Sequence, residues 1–352
     1  MNIQLLTPRF NAVKFSNNYS TNSISKNNSN LAPLQADTVS FSGKEKVISQ
    51  AKNKVMQEWD PNGKNFQEII DLCDDFEKPL EKLLVSLRRN MKHLVASQAN
   101  PDAPIMPGIA GIKGRVKSPN ETAVKANSRK IFNIDDIAKM GDVGGARIVF
   151  RSSSQKDFAM VFKELGNMMK QGLKIVEVEN WRPSPKESYV SQKTLNKFEE
   201  LCNEYGQYPE IRSRALPNGY TAVHVTCEID GKYLEIQLMG IDMEITKEVQ
   251  DPYYKHYCNK KLSSKYQPIQ DMFDRVFPTL DAFQQETLLR YQKDSFDHAR
   301  KIPANPVKHK VKIGNTFLPF PYSLPQELSY TNIYRLKCIC EKADKAAKAS
   351  KK

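Results

Sequence analysis

The sequence predicts an α+β fold in which a mixed central β-sheet of about five strands is flanked by helices. Three observations support this class. Apolar residues recur at helical spacing between residues 46 and 98. The run "RIVF", a helical pattern and the run "LKIVEVEN" then follow in the order strand, helix, strand. Further along, two alternating runs flank Asp230 and Gly231, which predicts a β-hairpin.

Composition divides the chain into three parts. Residues 1–45 are rich in Asn and Ser and carry few large apolar groups, which is typical of a disordered leader. Residues 46–300 contain the helical lead-in and the predicted α+β domain. Residues 301–352 begin with a proline-punctuated passage and continue with a short helix and the Lys-rich tail "EKADKAAKASKK". No internal repeat is visible.

The individual elements follow in order. After the lead-in helices, residues 148–150 begin a buried strand, and Ser154 suits the N-cap of a helix that carries Phe158, Val161 and Leu165. The run "LKIVEVEN" is the next strand, which completes a β-α-β unit. A charged helix is predicted over residues 190–205, before the hairpin, and more helices extend to about residue 300.

The hairpin has a defined register because Asp230 and Gly231 both tolerate the positive φ of a type I′ turn. Ile229 then faces Lys232, and each pair further from the turn follows. This register predicts a dry face of Val223, Val225, Cys227, Leu234, Ile236 and Leu238. It also predicts an opposite, polar face of His224, Thr226, Glu235 and Gln237. A solvated surface and a functional site are both compatible with such a polar face.

Composition limits the classes of function. The 53 Lys and Arg residues against 40 Asp and Glu give a net charge of +13, which favours nucleotides, RNA or anionic membranes as partners. Six scattered cysteines do not form a disulfide or zinc-binding pattern. The sequence contains neither an apolar run of membrane-spanning length nor a signal peptide. We therefore expect a cytoplasmic protein that does not enter the membrane.

A basic segment, "GIKGRVKSPNETAVKANSRK", is the first candidate for binding phosphates. Lys125 follows Lys117 by eight residues, about two helical turns, so a helix would project both amines from a similar side. Arg115 lies two residues before Lys117. Such a spacing suits a triphosphate, and a solvated basic helix is the alternative interpretation.

Two carboxylates are candidates for a metal site. Asp142 stands just ahead of "VGGAR", where the glycines permit close backbone approach, and Arg147 follows on the same strand. An Asp at this position is often only a turn residue. With Glu235 on a neighbouring strand, however, it could share a Mg²⁺ ion, which prefers one or two carboxylates together with phosphate oxygens.

Four motifs in order, "GRVKSPNETAVK", "GDVGGARIVF", "NGYTAVH" and "EIQL", resemble the nucleotide pyrophosphokinase domain of the RelA/SpoT family of alarmone synthetases. The resemblance covers residues 65–270 approximately. It implies a synthetase domain within residues 46–300, with a fold related to nucleotidyltransferases. It also implies ATP-dependent transfer of pyrophosphate to the ribose 3′-hydroxyl of a guanine nucleotide. The products of this reaction are the (p)ppGpp-type alarmones of the stringent response.

The resemblance also implies roles for individual residues. Arg115 and Arg147 match the arginines that sandwich the adenine of ATP, and Lys117 and Lys125 match the lysines that hold its phosphates. Asp142 and Glu235 match the catalytic carboxylates that bind Mg²⁺, and Glu235 also matches the proposed base for the 3′-hydroxyl. For the acceptor, Tyr220 matches the tyrosine that stacks on guanine. The remaining acceptor-binding positions are Asn218, His224 and Gln237.

Several positions depart from the family pattern. Leu216 and Met239 stand where family members usually carry a Lys and an Arg near the acceptor phosphates. Segment 182–212 is a long insertion. The later helix of the family is only faintly present as "TKEVQDPYYKHY", where either Asp251 or His256 could replace the family histidine. The missing cations leave the identity of the acceptor open.

Three functions are therefore compatible with the sequence. The first is pyrophosphate transfer from ATP to GDP or GTP. The second is the same chemistry on the 3′ end of a tRNA, which the basic charge would favour. The third is a non-catalytic nucleotide-binding or RNA-binding relative, against which the paired carboxylates argue. The sequence leaves the oligomeric state open, with a homo-oligomer among the alternatives.

Overall fold

A computed structural model describes most of the chain beyond the N-terminal segment. The described residues are 58–95, 108–151, 155–216, 218–257, 262, 264–301 and 317–349. The predicted leader at residues 1–45 and the predicted N-cap Ser154 lie outside this part. No helix within the described residues is long and apolar enough to cross a membrane.

A six-stranded mixed sheet forms the centre of the protein. Its strands are β1 (Ile109–Val116), β2 (Gly144–Phe150), β3 (Lys174–Arg182), β4 (Glu210–Ala215), β5 (Ala222–Ile229) and β6 (Lys232–Gly240), in the spatial order β1-β2-β6-β5-β3-β4. Strands β2 and β6 are parallel, as are β3 and β4, and the other neighbours are antiparallel. The predicted α+β class is confirmed. Two strands were not identified from the sequence. Strand β1 lies in the basic segment, and the sequence "EIRSRA" of β4 lacks the apolar alternation that predicts a strand.

Helices flank the sheet and connect its strands. They are α1 (Phe66–Asp75), α2 (Glu77–Asn90), α3 (Pro119–Ser128), α4 (Ile134–Ala138), α5 (Gln155–Lys170), α6 (Gln192–Glu204), α7 (Ile241–Tyr257), α8 (Gln267–Val276), α9 (Ala282–Lys301) and α10 (Tyr330–Ala349). Helix α5 joins β2 to β3, as the predicted β-α-β unit requires. The hairpin strands β5 and β6 lie between β2 and β3 in the sheet. Helix α6 falls within the predicted helical stretch 190–205.

The predicted hairpin register is confirmed. Asp230 and Gly231 have φ values of 52° and 75°, as a type I′ turn requires. Ile229 pairs with Lys232, Thr226 with Glu235 and His224 with Gln237. All six side chains of the predicted dry face are fully buried, and they belong to one core cluster with α1, α2, α5 and α6. This burial fixes which face of the sheet remains for polar residues.

The basic segment is not one helix. Arg115 lies near the end of β1, Lys117 lies between that strand and α3, and Lys125 lies within α3. Ser118 caps α3 in a capping box with Glu121, and a proline occupies the first turn. The helix therefore begins after Lys117, and a β-strand precedes it. The condition that one helix carries both lysines is therefore not met.

The C-terminal helices form a second cluster of buried side chains. Tyr253 from α7, Phe273 from α8, Leu288 from α9 and Ile333 from α10 all belong to it. Helix α10 is 20 residues long, whereas the sequence suggested a short helix and a separate tail. The tail residues Ala, Lys and Glu are strong helix formers, so they extend the helix. Helix α7 begins directly after β6, which brings its first turns to the polar face of the sheet.

Candidate active site

The polar face extends across all six strands, since alternate residues of each strand share it. Glu235 lies at its centre, paired with Thr226 on one side and with Gly145 on the other. The register of the sheet assigns side chains of every strand to this face. They are Lys113 and Arg115 of β1, Arg147 of β2, Glu235 and Gln237 of β6, His224 and Thr226 of β5, Glu177, Glu179 and Trp181 of β3, and Arg212 and Arg214 of β4. The face thus contains residues from each of the four sequence motifs.

Asp142 is surrounded by cations. Lys117 Nζ lies 2.7 Å from Asp142 Oδ2, and Lys125 Nζ lies 3.5 Å from the same oxygen. Burial alone would raise the pKa of Asp142, but Lys117, Lys125 and Arg129 together lower it. Asp142 Oδ1 is buried and has no hydrogen-bond partner among the described residues. We call Lys117, Lys125, Arg129 and Asp142 the cationic cluster.

Two glycines bring the backbone of this region against the hairpin. A Cβ on Gly145 would lie 2.3 Å from the carbonyl oxygen of Glu235, so only glycine permits this approach of β2 to β6. A Cβ on Gly141, whose φ is +82°, would lie 3.5 Å from Thr226. The loop that carries Asp142 therefore reaches the polar face beside Glu235. That Asp142 and Glu235 share one cation stays a prediction.

Glu235 is held by two neighbours. Its Oε2 lies 2.9 Å from His224 Nδ1, and its Oε1 accepts a hydrogen bond from Gln237 Nε2 at 2.6 Å. Burial raises the pKa of this carboxyl, but His224, Gln237 and Lys117 lower it more, so the pKa lies well below its ordinary value. Glu235 is therefore ionised at neutral pH. Lys117 influences this residue and also pairs with Asp142, which links the two predicted carboxylates.

His224 lies beneath two aromatic residues. Tyr220 Oη lies 3.0 Å from Nε2 of the imidazole, and Trp181 Nε1 lies 3.2 Å from Nδ1. Tyr220 is 9% exposed, and its ring meets Phe296 edge-on at 6.0 Å between centroids. Asn218 Oδ1 accepts a hydrogen bond from the Tyr220 backbone N–H at 3.1 Å. Stacking of Tyr220 on an acceptor base stays a prediction.

Sequence reasoning missed Trp181 and Glu179. Both lie on β3, two residues apart, and therefore share the polar face. The alternation of "VEVENWR" was the available signal, but only the pairing of β3 with β5 shows that Glu179 faces His224.

Arg147 and Arg115 differ in their surroundings. Arg147 donates to Gln237 at 3.1 Å and forms ion pairs with Glu244 at 3.1 Å and Glu248 at 2.8 Å. Lys337 from α10 lies 3.0 Å from the other oxygen of Glu248. Arg115 is 68% exposed and lies 3.5 Å from Glu121. Both arginines are on one face, since Arg115 pairs with Gly145, two residues before Arg147. Their predicted contact with adenine stays a prediction.

Helix α7 adds a lysine that the sequence did not reveal as a site residue. Lys247 Nζ lies 3.4 Å from Gln237 Oε1. Burial, together with the neighbouring charge of Arg147, lowers the pKa of Lys247 to about 8. Its charged form is therefore less favoured than that of an exposed lysine.

The positions that depart from the family pattern are apolar in the structure. Met239 is fully buried, and Leu216 packs against the same cluster, which includes Tyr220. Among the two candidates for the family histidine, His256 stacks on Phe277 at 4.0 Å within the helical cluster. Asp251 instead pairs with Lys255, which also reaches Glu121 next to Arg115. Asp251 is thus connected to Arg115 through Lys255 and Glu121, whereas His256 packs within the helical cluster.

Comparisons with known proteins return structural neighbours only. No protein-family profile and no curated protein matches the chain. The chain is similar to the small alarmone synthetase 1 from Bacillus subtilis bound to its product pppGpp, with a TM-score of 0.39 and 14% identity over 68% of this chain and 94% of that one. It is also similar to a GTP pyrophosphokinase family protein from Streptococcus pneumoniae, with a TM-score of 0.37 and 15% identity over 68% of this chain and 91% of that one. For the small alarmone synthetase 2 from Bacillus subtilis, the TM-score is 0.30 and the identity 18%, over 65% of this chain and 97% of that one.

Proposed function

We propose that this protein transfers pyrophosphate from ATP to the ribose 3′-hydroxyl of a guanine nucleotide. One observation carries the proposal: residues from four separate sequence motifs meet on a single face of the sheet. The cationic cluster supplies positive charge for phosphates. Glu235, the central carboxylate, lies on β6, which pairs with the strand β2 that follows Asp142. In-line phosphoryl transfer requires mainly positioning and charge neutralisation, which this arrangement supplies.

The donor side of the site is the cationic cluster. Lys117 and Lys125 point to one place, since both approach Asp142 Oδ2. A triphosphate that enters there gains two ammonium groups as hydrogen-bond donors, and its negative charge would compete with Asp142 for them. Arg115 is largely exposed and available for a planar contact with a base.

Mg²⁺ fits the carboxylates of this face. Asp142 Oδ1 is a buried carboxylate oxygen without a hydrogen-bond partner among the described residues, and carboxylates are the ligands that Mg²⁺ prefers. Asp142 and Glu235 are the residues that would hold the ion. When bound, Mg²⁺ supplies charge neutralisation for the phosphates of ATP.

On the acceptor side, Glu235 is the group that would accept the proton of the 3′-hydroxyl. Its low pKa keeps it ionised, and its contacts with His224 and Gln237 fix its direction. Tyr220 and Asn218 lie next to His224 and complete the predicted acceptor side.

The 3′ end of a tRNA is the second candidate acceptor. The observation that favours it is the apolar burial of Met239 and Leu216, at the positions where the family pattern has cations for acceptor phosphates. An RNA could obtain its phosphate contacts elsewhere on a protein with a net charge of +13.

Transfer of label from γ-³²P-ATP to separate pools of GDP, GTP, ATP and tRNA tests the proposal. Glu235→Gln keeps the size of the side chain and removes its charge, so we expect transfer to fall about 10²–10⁴-fold. Glu228→Gln is the matched control, because Glu228 lies on the same hairpin and pairs with Lys174 at 2.6 Å. We expect this control to stay within a few-fold of the unmodified protein.

Calorimetry with Mg²⁺-ATP separates the alternatives. Normal transfer by Glu235→Gln would remove the hairpin from the mechanism. ATP binding without transfer to any of the four pools would establish the non-catalytic alternative. Transfer to tRNA alone would identify the RNA end as the acceptor.

A further inference from the structure

A His and two carboxylates converge on the polar face beside the cationic cluster. One ligand atom each from Glu179, His224 and Glu235 lie within 4.8 Å of one another. The three residues come from adjacent strands β3, β5 and β6, so the sheet register itself assembles them. We call them the His-carboxylate cluster. It differs from the predicted Asp142–Glu235 pair in two of its three members.

The Nδ1 atom of His224 has two neighbours with incompatible hydrogen-bonding requirements. Trp181 Nε1–H, which can only donate, lies 3.2 Å from Nδ1, and Glu235 Oε2, which can only accept when ionised, lies 2.9 Å from the same nitrogen. Nδ1 carries either a lone pair or a proton and cannot satisfy both. On the other side of the ring, Tyr220 Oη lies 3.0 Å from Nε2, which can donate to it. When Nε2 carries the proton and donates to Tyr220, the Nδ1 lone pair faces Glu235 Oε2 with no proton between them.

We propose that the His-carboxylate cluster binds a first-row transition-metal dication, with Zn²⁺ as the reference ion, through His224 Nδ1 and the carboxylates of Glu179 and Glu235. The ion would replace the proton that the contact between Nδ1 and Glu235 otherwise needs. This inference goes beyond the proposed function, because ion binding does not require transfer activity. The two share Glu235, so an ion held by the His-carboxylate cluster would have to release that carboxylate before it could act as the base.

The distances are close to those of a coordination sphere. In the tetrahedral geometry of zinc, ligands about 2.1 Å from the ion lie about 3.4 Å apart. The separation of 2.9 Å between His224 Nδ1 and Glu235 Oε2 is about 0.5 Å shorter than this spacing. The bound of 4.8 Å on the cluster exceeds it by about 1.4 Å at most, a difference that side-chain rotation can close.

The ligand types select the ion. Imidazole nitrogen favours zinc and its neighbours in the first row, whereas Mg²⁺ prefers oxygen ligands alone. The cluster carries a charge of −2 when the imidazole is neutral, which a dication neutralises. Arg214 Nη1 lies 3.5 Å from Glu179 Oε1, longer than a charge-assisted hydrogen bond, so it competes only weakly.

Outer contacts orient the ligands. Tyr220 Oη holds the ring of His224 through a hydrogen bond at Nε2, and Gln237 donates to Glu235 at 2.6 Å. Such contacts typically accompany metal ligands and raise their affinity. When the ion takes the Nδ1 lone pair, Trp181 loses its acceptor. Metal binding should therefore change the emission of this tryptophan.

Tryptophan fluorescence provides the test. The chain has two tryptophans, so Trp59→Phe leaves Trp181 as the single reporter. Titration of this variant with Co²⁺ in the absence of nucleotide should quench its emission saturably with a 1:1 stoichiometry, and Zn²⁺ should compete. Added Glu179→Gln should weaken Co²⁺ affinity at least about 10-fold. Glu177→Gln is the matched control, since it lies two residues away on the same face of β3, and its affinity should be unchanged.

Asp142→Asn distinguishes the two carboxylate sites. We expect it to bind Co²⁺ like the unmodified protein, because Asp142 is outside the His-carboxylate cluster. Equal affinity of Glu179→Gln and Glu177→Gln, or absence of saturable quenching, would overturn the inference. Anomalous scattering from Zn²⁺-soaked crystals provides a second measurement if a variant unfolds, and density away from His224 would also overturn it. Transfer assays with Mg²⁺-ATP are read separately, so a protein that binds Co²⁺ and transfers nothing would contradict only the proposed function.

Discussion

The two clusters of the polar face differ in the sign of their excess charge. In the cationic cluster, three basic side chains surround the single carboxylate of Asp142. In the His-carboxylate cluster, two carboxylates approach one imidazole. The first needs an anion to balance it and the second needs a cation. The two clusters lie close together, since Lys117 influences the pKa of Glu235, so this side of the sheet is divided by charge.

The clusters also differ in how the chain builds them. The cationic cluster depends on a strand end, a helix and a loop that meet only in the tertiary fold. The His-carboxylate cluster depends mainly on strand register, because His224 and Glu235 belong to one hairpin. A substitution in the cationic cluster therefore tests the effect of a charge that only the tertiary fold positions. A substitution in the His-carboxylate cluster tests the effect of geometry that the hairpin fixes.

The largest expected effect in this comparison follows Lys117→Met. Methionine retains most of the side-chain length and removes the ammonium group that lies 2.7 Å from Asp142. We expect kcat/KM for ATP to fall about 10²–10³-fold, as for loss of one preorganised charge at a transferring group. Steady-state kinetics with varied Mg²⁺-ATP measure it. Lys82→Met is the control, because Lys82 pairs with Asp230 at the hairpin turn, and this exposed pair contributes little.

Co²⁺ binding by the same variant sharpens the comparison. Lys117 is not a member of the His-carboxylate cluster, so Lys117→Met should retain saturable quenching of Trp181. A variant with unchanged kinetics for ATP would show that the cationic cluster does not hold the donor phosphates.

Lys247 gives the second prediction, a pH dependence of stability. Its pKa is about 8 in the folded protein against an ordinary value of 10.5, because burial and Arg147 disfavour its charge. Between these values the unfolded chain binds more protons than the folded chain, so stability rises with pH across this window. Lys247→Met should remove this rise, which amounts to about 1–3 kcal/mol. Urea unfolding between pH 7.5 and about 10.5 measures the difference between the two proteins.

Lys255→Met is the control of opposite sign. Burial lowers the pKa of Lys255, but Asp251 and Glu121 raise it more. Its contribution to stability is therefore present below its unfolded pKa and is lost only as the pH rises above that value. A difference between Lys247→Met and the unmodified protein that stays constant over the whole window would contradict the depressed pKa of Lys247.

The elements that local pattern predicted are those in which neighbouring residues carry the signal. The hairpin register followed from the turn and from alternation, and the structure reproduces it pair by pair. Strand β4 was missed because its "EIRSRA" sequence has little apolar alternation. The break after Lys117 was missed although Ser118 and Glu121 form a capping box, a signal that the sequence contained.

The site divides in the same way. His224, Glu235 and Gln237 could be placed on one face from the hairpin alone. Spacing and the neighbouring glycines made the lysines and Asp142 candidates, and the resemblance to a family added their roles. Glu179, Trp181 and Lys247 could not be placed, since their positions depend on the pairing of β3 with β5 and on how α7 packs. Such contacts join residues far apart in the sequence, which periodicity does not encode.

The smallest expected effect follows Tyr220→Phe, which removes only the hydroxyl that lies 3.0 Å from His224 Nε2. The ring remains packed against Phe296, so the free energy of unfolding should fall by about 0.5–1.5 kcal/mol, the contribution of one hydrogen bond. Tyr208→Phe is the control, because Tyr208 is 81% exposed and should show no change. In Tyr220→Phe the imidazole of His224 would rotate more freely. Co²⁺ affinity should therefore fall, by less than in Glu179→Gln, while KM for ATP stays the same because the cationic cluster is intact. A matching increase in KM for ATP would show instead that the two clusters act as one unit, and the division of the site by charge would have to be abandoned.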